Sequence, residues 1–232
     1  MAPKYANRRA RRYRKHYKSK VPSNTTLAKK IKKIQYDQET KYHNENISTT
    51  ADSLGTLTVL NIIPQGTDQQ SRIGNEIRMT SIQCRYTLNN LAVTTGEVRV
   101  TWRVIMFYDR QANGALCNLF ATAITTPALL DASSVTNLTL SPYQAESRER
   151  FKVLYDKSGV ISDDTANSQW MTISHKTLLK KLSRKVMYDG TGATIADLNS
   201  NAIYIACMLG DANIDPSTVV NWQAGIRIYF KD

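Results

Sequence analysis

Residues 98–109 read VRVTWRVIMFYD. Val98, Val100, Trp102, Val104, Met106 and Tyr108 alternate with Arg99, Thr101, Arg103, Ile105 and Phe107, and a period of two puts successive side chains on opposite faces of a strand. In the first half one face is polar, whereas Ile105 and Phe107 make the second half apolar on both faces. The stretch predicts a strand that begins half-exposed and ends buried on both sides.

Upstream, Ile77 and Met79 share a face, but Ile82, Cys84, Tyr86 and Leu88 take up the alternation one position later. One extra residue restores the pattern, so a β-bulge is expected near Thr80 and Ser81. Gly55 to Ile63, rich in Leu, Val, Thr and Ile and closed by Pro64-Gln65-Gly66, predicts the first strand. Downstream, Ala115 to Leu130 lacks alternation and is rich in Ala, Leu and Thr, which predicts a short helix with a loop. Strands resume over Arg150–Tyr155, Trp170–Ser174, Arg184–Tyr188, Ala202–Leu209 and Asn221–Phe230. In the last of these Trp222, Ala224, Ile226, Ile228 and Phe230 share one face. Seven or eight strands with long loops and small helices predict an all-β antiparallel sandwich.

The 232 residues carry a net charge of +12, and that charge is not spread evenly. Residues 1–36 contain thirteen basic side chains and no Asp or Glu: Lys4, Arg8, Arg9, Arg11, Arg12, Arg14, Lys15, Lys18, Lys20, Lys29, Lys30, Lys32 and Lys33. The remainder holds 18 basic and 19 acidic residues, a net of −1. The chain is therefore a near-neutral body with one concentrated positive arm, and the arm is the part that responds to polyanions. The reading divides it into a basic arm at 1–36, a polar connector at 37–54 with no clear period, and a β body at 55–232.

Residues 1–20 offer too little apolar surface to offset the entropy of ordering, so alone in solution they are expected to be disordered. Ser23-Asn24-Thr25-Thr26 can cap a helix, and Leu27, Ile31 and Ile34 follow at helical spacing among lysines. Ten residues make a marginal helix alone. Its stripe suits docking against neighbouring arms, the body or nucleic acid, with ordinary core packing as the alternative.

Thirteen cations neutralise phosphates and release counterions, so on single strands log affinity falls with log salt by about 0.7 per phosphate contacted. Tyr5, Tyr13 and Tyr17 interleave the arginines. An aromatic ring can stack on an unpaired base for about 1 to 3 kcal/mol without reading sequence. The nucleic-acid candidates are thus the thirteen cations with Tyr13 and Tyr17. The same basic run can also serve as a nuclear-import address or a solvated tail.

Other chemistries find little support. His16, His43 and His175 are isolated, and the chain lacks H-x-x-x-H, G-x-S-x-G and G-x-x-x-x-G-K-S/T, the patterns that metalloproteases, hydrolases and P-loop enzymes need. No cofactor is implied, and no metal is assigned, although Asp163-Asp164 or Asp211 with Asp215 could offer calcium oxygen ligands. Cys84, Cys117 and Cys207 have no metal-ligand spacing and read as buried free thiols. Asp109 beside Arg110, and Asp156 beside Lys157, sit at predicted strand ends where they cap turns or bridge subunits. The sequons at Asn24, Asn46 and Asn137 lack a secretory signal before them. The longest strongly apolar run, Ala202 to Leu209, is too short to span a bilayer.

Three strings carry a family resemblance: IIPQGTDQQSRIGNEIRMTSIQCRY at 62–86, RVIMFYDRQANGA at 103–115 and RFKVLYDK at 150–157. In this order they resemble the single jelly-roll coat proteins of small circular single-stranded DNA viruses and of satellite viruses of the tobacco necrosis type. The resemblance implies an eight-stranded jelly-roll shell domain at 55–232, an inward arm, and self-assembly of about sixty copies into an icosahedral virion. Viral single-stranded nucleic acid and possible host nuclear import factors would be the partners, in the host nucleus or cytoplasm before assembly, without membrane insertion. The alternative is a cellular nucleic-acid-binding protein with a basic tail on a β-sandwich. A jelly-roll enzyme ranks below both.

Overall fold

The computed structural model describes residues 25–30, 39–51, 54–91, 99–121, 127–131, 138–162, 171–174, 185–210 and 219–232. The chain divides into two units, Met1–Gln38 and Glu39–Asp232. In the first, residues 25–30 form an exposed helical segment within the predicted helix. Ile31 and Ile34 lie outside the described residues.

The second unit is built of strands β1 (Lys41–Ala51), β2 (Thr56–Val59), β3 (Glu76–Leu91), β4 (Arg99–Asp109), β5 (Asn118–Ala121), β6 (Ala128–Asp131), β7 (Phe151–Ser162), β8 (Met171–Ser174), β9 (Lys185–Tyr188), β10 (Leu198–Ser200), β11 (Ala202–Gly210) and β12 (Val219–Lys231). One sheet runs β1-β12-β3-β9-β10 with β8 also on β3, and the other runs β2-β11-β4-β7. β8 pairs with Gln83–Tyr86 of β3, and β9 pairs with Glu76–Arg78. One strand position is thus filled in two pieces. Counted that way, eight positions alternate between sheets in the order 1-8-3-6 and 2-7-4-5, the jelly-roll arrangement.

The alternation in β12 decides the packing of the first sheet. Trp222, Ala224, Ile226, Ile228 and Phe230 are all buried, and they lie beside Leu88, Tyr86, Cys84, Ile82 and Met79 of β3. Ala224 opposite Tyr86 pairs a small side chain with a large one, so the layer closes without overpacking. From the other sheet Trp102 meets Tyr86 edge-to-face at 6.2 Å. Gly159 lies beside Trp102 in the ladder. A Cβ there would stand 2.7 Å from the indole, so the glycine makes room for the ring.

The bulge lies where the pattern places it. Tyr229 pairs with Ser81 but Phe230 pairs with Met79, leaving Thr80 as the extra residue. Its hydroxyl donates to the Tyr229 carbonyl at 3.0 Å. Deleting Thr80 would leave Ile77, Met79, Ile82, Cys84, Tyr86 and Leu88 in strict alternation on the core face, so the fold should survive at a cost of about 1 kcal/mol, mainly the lost Thr80 hydrogen bond. A urea titration followed by tryptophan fluorescence checks this, and a loss of about 3 to 6 kcal/mol, as if Ile77 and Met79 had turned outward, would refute the assigned register.

Two expectations are corrected. The segment 37–54 is not a connector, because β1 pairs with β12 along its whole length, from Lys41 opposite Phe230 to Ala51 opposite Val220. It is an edge strand with a solvated outer face. Only Ile47 and Ala51 among its residues join the core, so no apolar alternation marks it. The body therefore begins near Glu39.

Residues 115–130 contain no helix among the described residues; β5 and β6 pair there in parallel. The cause is tertiary. All nine residues of β11 are buried, which requires a cover over both of its faces. The excursion lies against this strand: the Tyr204 hydroxyl donates to the Ala115 carbonyl at 3.5 Å, Leu119 sits beside Gly55 and Met208, and Leu119 and Leu129 are buried in the same core. Extended chain buries alternate residues on a flat sheet more fully than the local helix propensity of Ala and Leu can offset.

Candidate nucleic-acid interface

Of the thirteen arm cations, Lys29 and Lys30 lie in the exposed helical segment of 25–30. Lys4, Arg8, Arg9, Arg11, Arg12, Arg14, Lys15, Lys18, Lys20, Lys32 and Lys33, with Tyr13 and Tyr17, lie outside the described residues. Also outside them are His16, His175, Asp163, Asp164, Asp211 and Asp215. Among the described residues no group of three His, Cys, Asp or Glu could hold a metal, and no helix is long and apolar enough to cross a membrane.

In the body, most ion pairs among the described residues join buried or half-buried groups of the fold itself. Arg150 donates from Nε and Nη2 to Asp109 at 2.9 and 2.8 Å, and Asp109 is fully buried. The same carboxylate accepts from the Gln111 amide at 2.9 Å, closing the turn after β4. Gly114 in that turn has φ of 73°, and a Cβ would meet the Ala196 carbonyl at 3.3 Å, so the position favours glycine. Arg103 likewise donates to both oxygens of Asp156, at 2.9 and 2.7 Å. It also donates to the carbonyls of Thr139 and Ser141, which holds residues 138–141 against the second sheet. The β4–β7 ladder brings these distant arginines to the two carboxylates. Asp109 ends β4 and closes a turn as expected, whereas Asp156 lies within β7 and not at a strand end.

Burial raises the pKa of Asp156, but hydrogen bonds from Arg103 and Tyr143 outweigh it and hold the carboxyl below its ordinary value. A carboxyl depressed in the folded state stabilises fully above its unfolded pKa and loses that contribution as pH falls through the folded one. Stability should therefore decline below about pH 4, and Asp156→Asn should flatten that decline. Urea midpoints between about pH 5 and 3 check this; parallel curves for the two chains would contradict it.

The longest resembling string folds around another buried cation. Arg72 is fully buried and donates to the carbonyls of Ile63 at 3.0 Å, Gly74 at 2.6 Å and Gly190. Its guanidinium lies 4.2 Å over the Tyr188 ring. It ties the loop after β2 to the loop after β9, which gives residues 62–78 a packing role. Cys84, Cys117 and Cys207 are buried thiols outside any disulfide, as expected from their spacing. Burial pushes the Cys84 and Cys117 thiols up to about 12, so they stay protonated and inert.

The profile of a family described as satellite tobacco necrosis virus coat protein matches residues 10–232. No curated protein matches the chain. Among solved structures, a chain from Desmodium yellow mottle tymovirus is 8% identical, covering 83% of this chain and 87% of that one, with a TM-score of 0.33. A chain from tobacco necrosis virus is 12% identical, covering 83% and 95%, with a TM-score of 0.25.

Proposed function

This chain belongs to the satellite tobacco necrosis virus coat protein family, hence a structural viral capsid protein of the virion and not an enzyme, and from that premise we propose that its copies close into a small icosahedral shell whose basic arms package single-stranded nucleic acid. The observation that carries the proposal is the segregation of charge: thirteen cations without an acid in residues 1–36, and a net of −1 in the rest. A near-neutral body can pack against its own copies without strong mutual repulsion, while the arm supplies phosphate neutralisation where copies converge. On the order of sixty arms then act as one multivalent surface.

Phosphate contacts and stacking do not require the 2′-hydroxyl, so the proposal applies to DNA or RNA. The kinship with circular single-stranded DNA viruses rests on the three strings and belongs to this proposal, as does use of the arm by host import factors before assembly in nucleus or cytoplasm. The reading as a cellular binder on a sandwich yields to the family match.

Sedimentation and electron microscopy of the purified chain test the shell. Uniform closed particles are expected. A sample that stays monomeric in low and high salt alike would refute assembly.

A further inference from the structure

The outer face of the first sheet bears three polar rows across β1, β12 and β3. Asn46, Gly225 and Arg85 lie side by side in the central row. On one flank Asn44 and Gln83 neighbour Arg227, and on the other Ser48 and Thr87 neighbour Gln223. Gly225 has no side chain, so the middle of this lattice is a notch floored by backbone. Two shallow recesses of about 370 and 440 Å³ meet over it. With strands about 4.8 Å apart and a rise of about 3.3 Å per residue, the wall residues stand about 10 Å apart across the strands and about 13 Å along them. That opening admits a heterocyclic base.

The charges here differ in kind from the internal pairs. Arg227 is exposed, donates from Nε to Asn44 Oδ1 at 2.7 Å, and lies 4.6 Å over the Tyr42 ring. Both partners are neutral, so the guanidinium is positioned without being neutralised. Arg85 is exposed and has no ion pair among the described residues. Beyond the lattice, Lys231 and Lys185 flank Arg78 in the ladders, and Lys185 pairs with Glu76 at 2.7 Å. An ordinary solvated face interleaves both signs and spends its cations on neighbouring carboxylates. This one sets beside amides two guanidinium groups that make no ion pair among the described residues.

We propose that this face is a second nucleic-acid site, one that takes an unpaired nucleotide of a single strand in the notch over Gly225. Arg85 and Arg227 meet the phosphates, the Arg227 plane offers a stacking surface, and Asn46 and Gln223 meet the base edge. Amide and guanidinium groups are the side chains that pair with base edges in two-point hydrogen bonds. The arm binds any strand, whereas this notch prefers one base. The inference rests on the packaging reading above and assigns it a body-borne contact.

The test uses the full chain, Arg85→Gln/Arg227→Gln, and Gly225→Trp. A Cβ at Gly225 would meet only Asn46 Oδ1, at 3.8 Å, so the backbone there accepts a side chain, and the tryptophan ring is placed to block the notch; an unchanged unfolding midpoint checks that the fold is kept. Photocross-linking of 4-thiouridine oligonucleotides should mark peptides of β1, β3 and β12 as well as the arm, and Gly225→Trp should abolish the body marks. The arginine pair should lower the salt slope by about 1.4, two phosphates at about 0.7 each. Among homopolymers competing for the body marks, one should win by at least about tenfold, which is 1.4 kcal/mol. Cross-links confined to residues 1–33, with an unchanged slope, would overturn the sheet site and leave packaging by the arm intact. An unmodified chain that releases all oligonucleotide would overturn both. Failure of Gly225→Trp to form particles without polynucleotide would make this face a contact between copies and overturn the assignment.

Discussion

Replacing all thirteen lysines and arginines of residues 1–36 with glutamine should reduce affinity for single-stranded polynucleotide at physiological salt by at least about three orders of magnitude. The unmodified arm, engaging between half and all of its thirteen cations, should show a log–log salt slope of about −4.5 to −9. The substituted chain should retain only the shallow dependence of the body. The two unfolding midpoints should coincide, because the body's core of Trp102, Tyr108, Trp222 and Phe230 uses none of the thirteen residues. Filter binding across a salt series measures both slopes. Equal slopes would place the polyanion contacts elsewhere.

The second large effect concerns the core. Trp222 is fully buried, between Thr49 of β1 and Leu88 of β3. Trp222→Ala should cost about 3 to 5 kcal/mol and, for a body of this size, lower the melting temperature by roughly 6 to 20 °C. The indole Nε1 has no hydrogen-bond partner among the described residues. Trp222→Phe removes that unsatisfied donor together with some volume, so its cost should be well under half that of alanine. Differential scanning calorimetry separates the two substitutions. Equal losses would mean that the indole donor is satisfied and that volume alone is not the controlling term.

These consequences were unequally legible in the chain. β4, β11 and β12 announced themselves because a strand in a sandwich core must alternate or be apolar throughout. The Thr80 bulge could be located to one or two residues, because a single extra residue flips the parity of every apolar position after it. The arm was legible for a different reason: thirteen cations without an acid form a signal in composition that needs no fold.

The missed features depend on what lies opposite. β1 sits at a sheet edge, with a polar outer face and Lys41 and His43 among its inward positions, so its partner is visible only in the ladder to β12. β5 and β6 read as helical by composition and are extended where residues 115–130 lie against β11, through Ala115 on Tyr204 and Leu119 beside Met208. Asp109 ends its strand as its position in the sequence implies, but Asp156 lies inside β7, and their partners Arg150 and Arg103 are 41 and 53 residues away. The Gly225 notch had no signal along the chain either, since Asn46 and Arg85 reach it from two other strands.

The most direct test counts the nucleotides that purified particles shield from nuclease, per copy of the chain, for the unmodified protein and for the arm substituted with glutamine. If each arm cation offsets one phosphate, about thirteen nucleotides per chain should survive digestion with the unmodified arm, and only a small fraction of that number with the substituted one. Equal protection by the two chains would contradict the account.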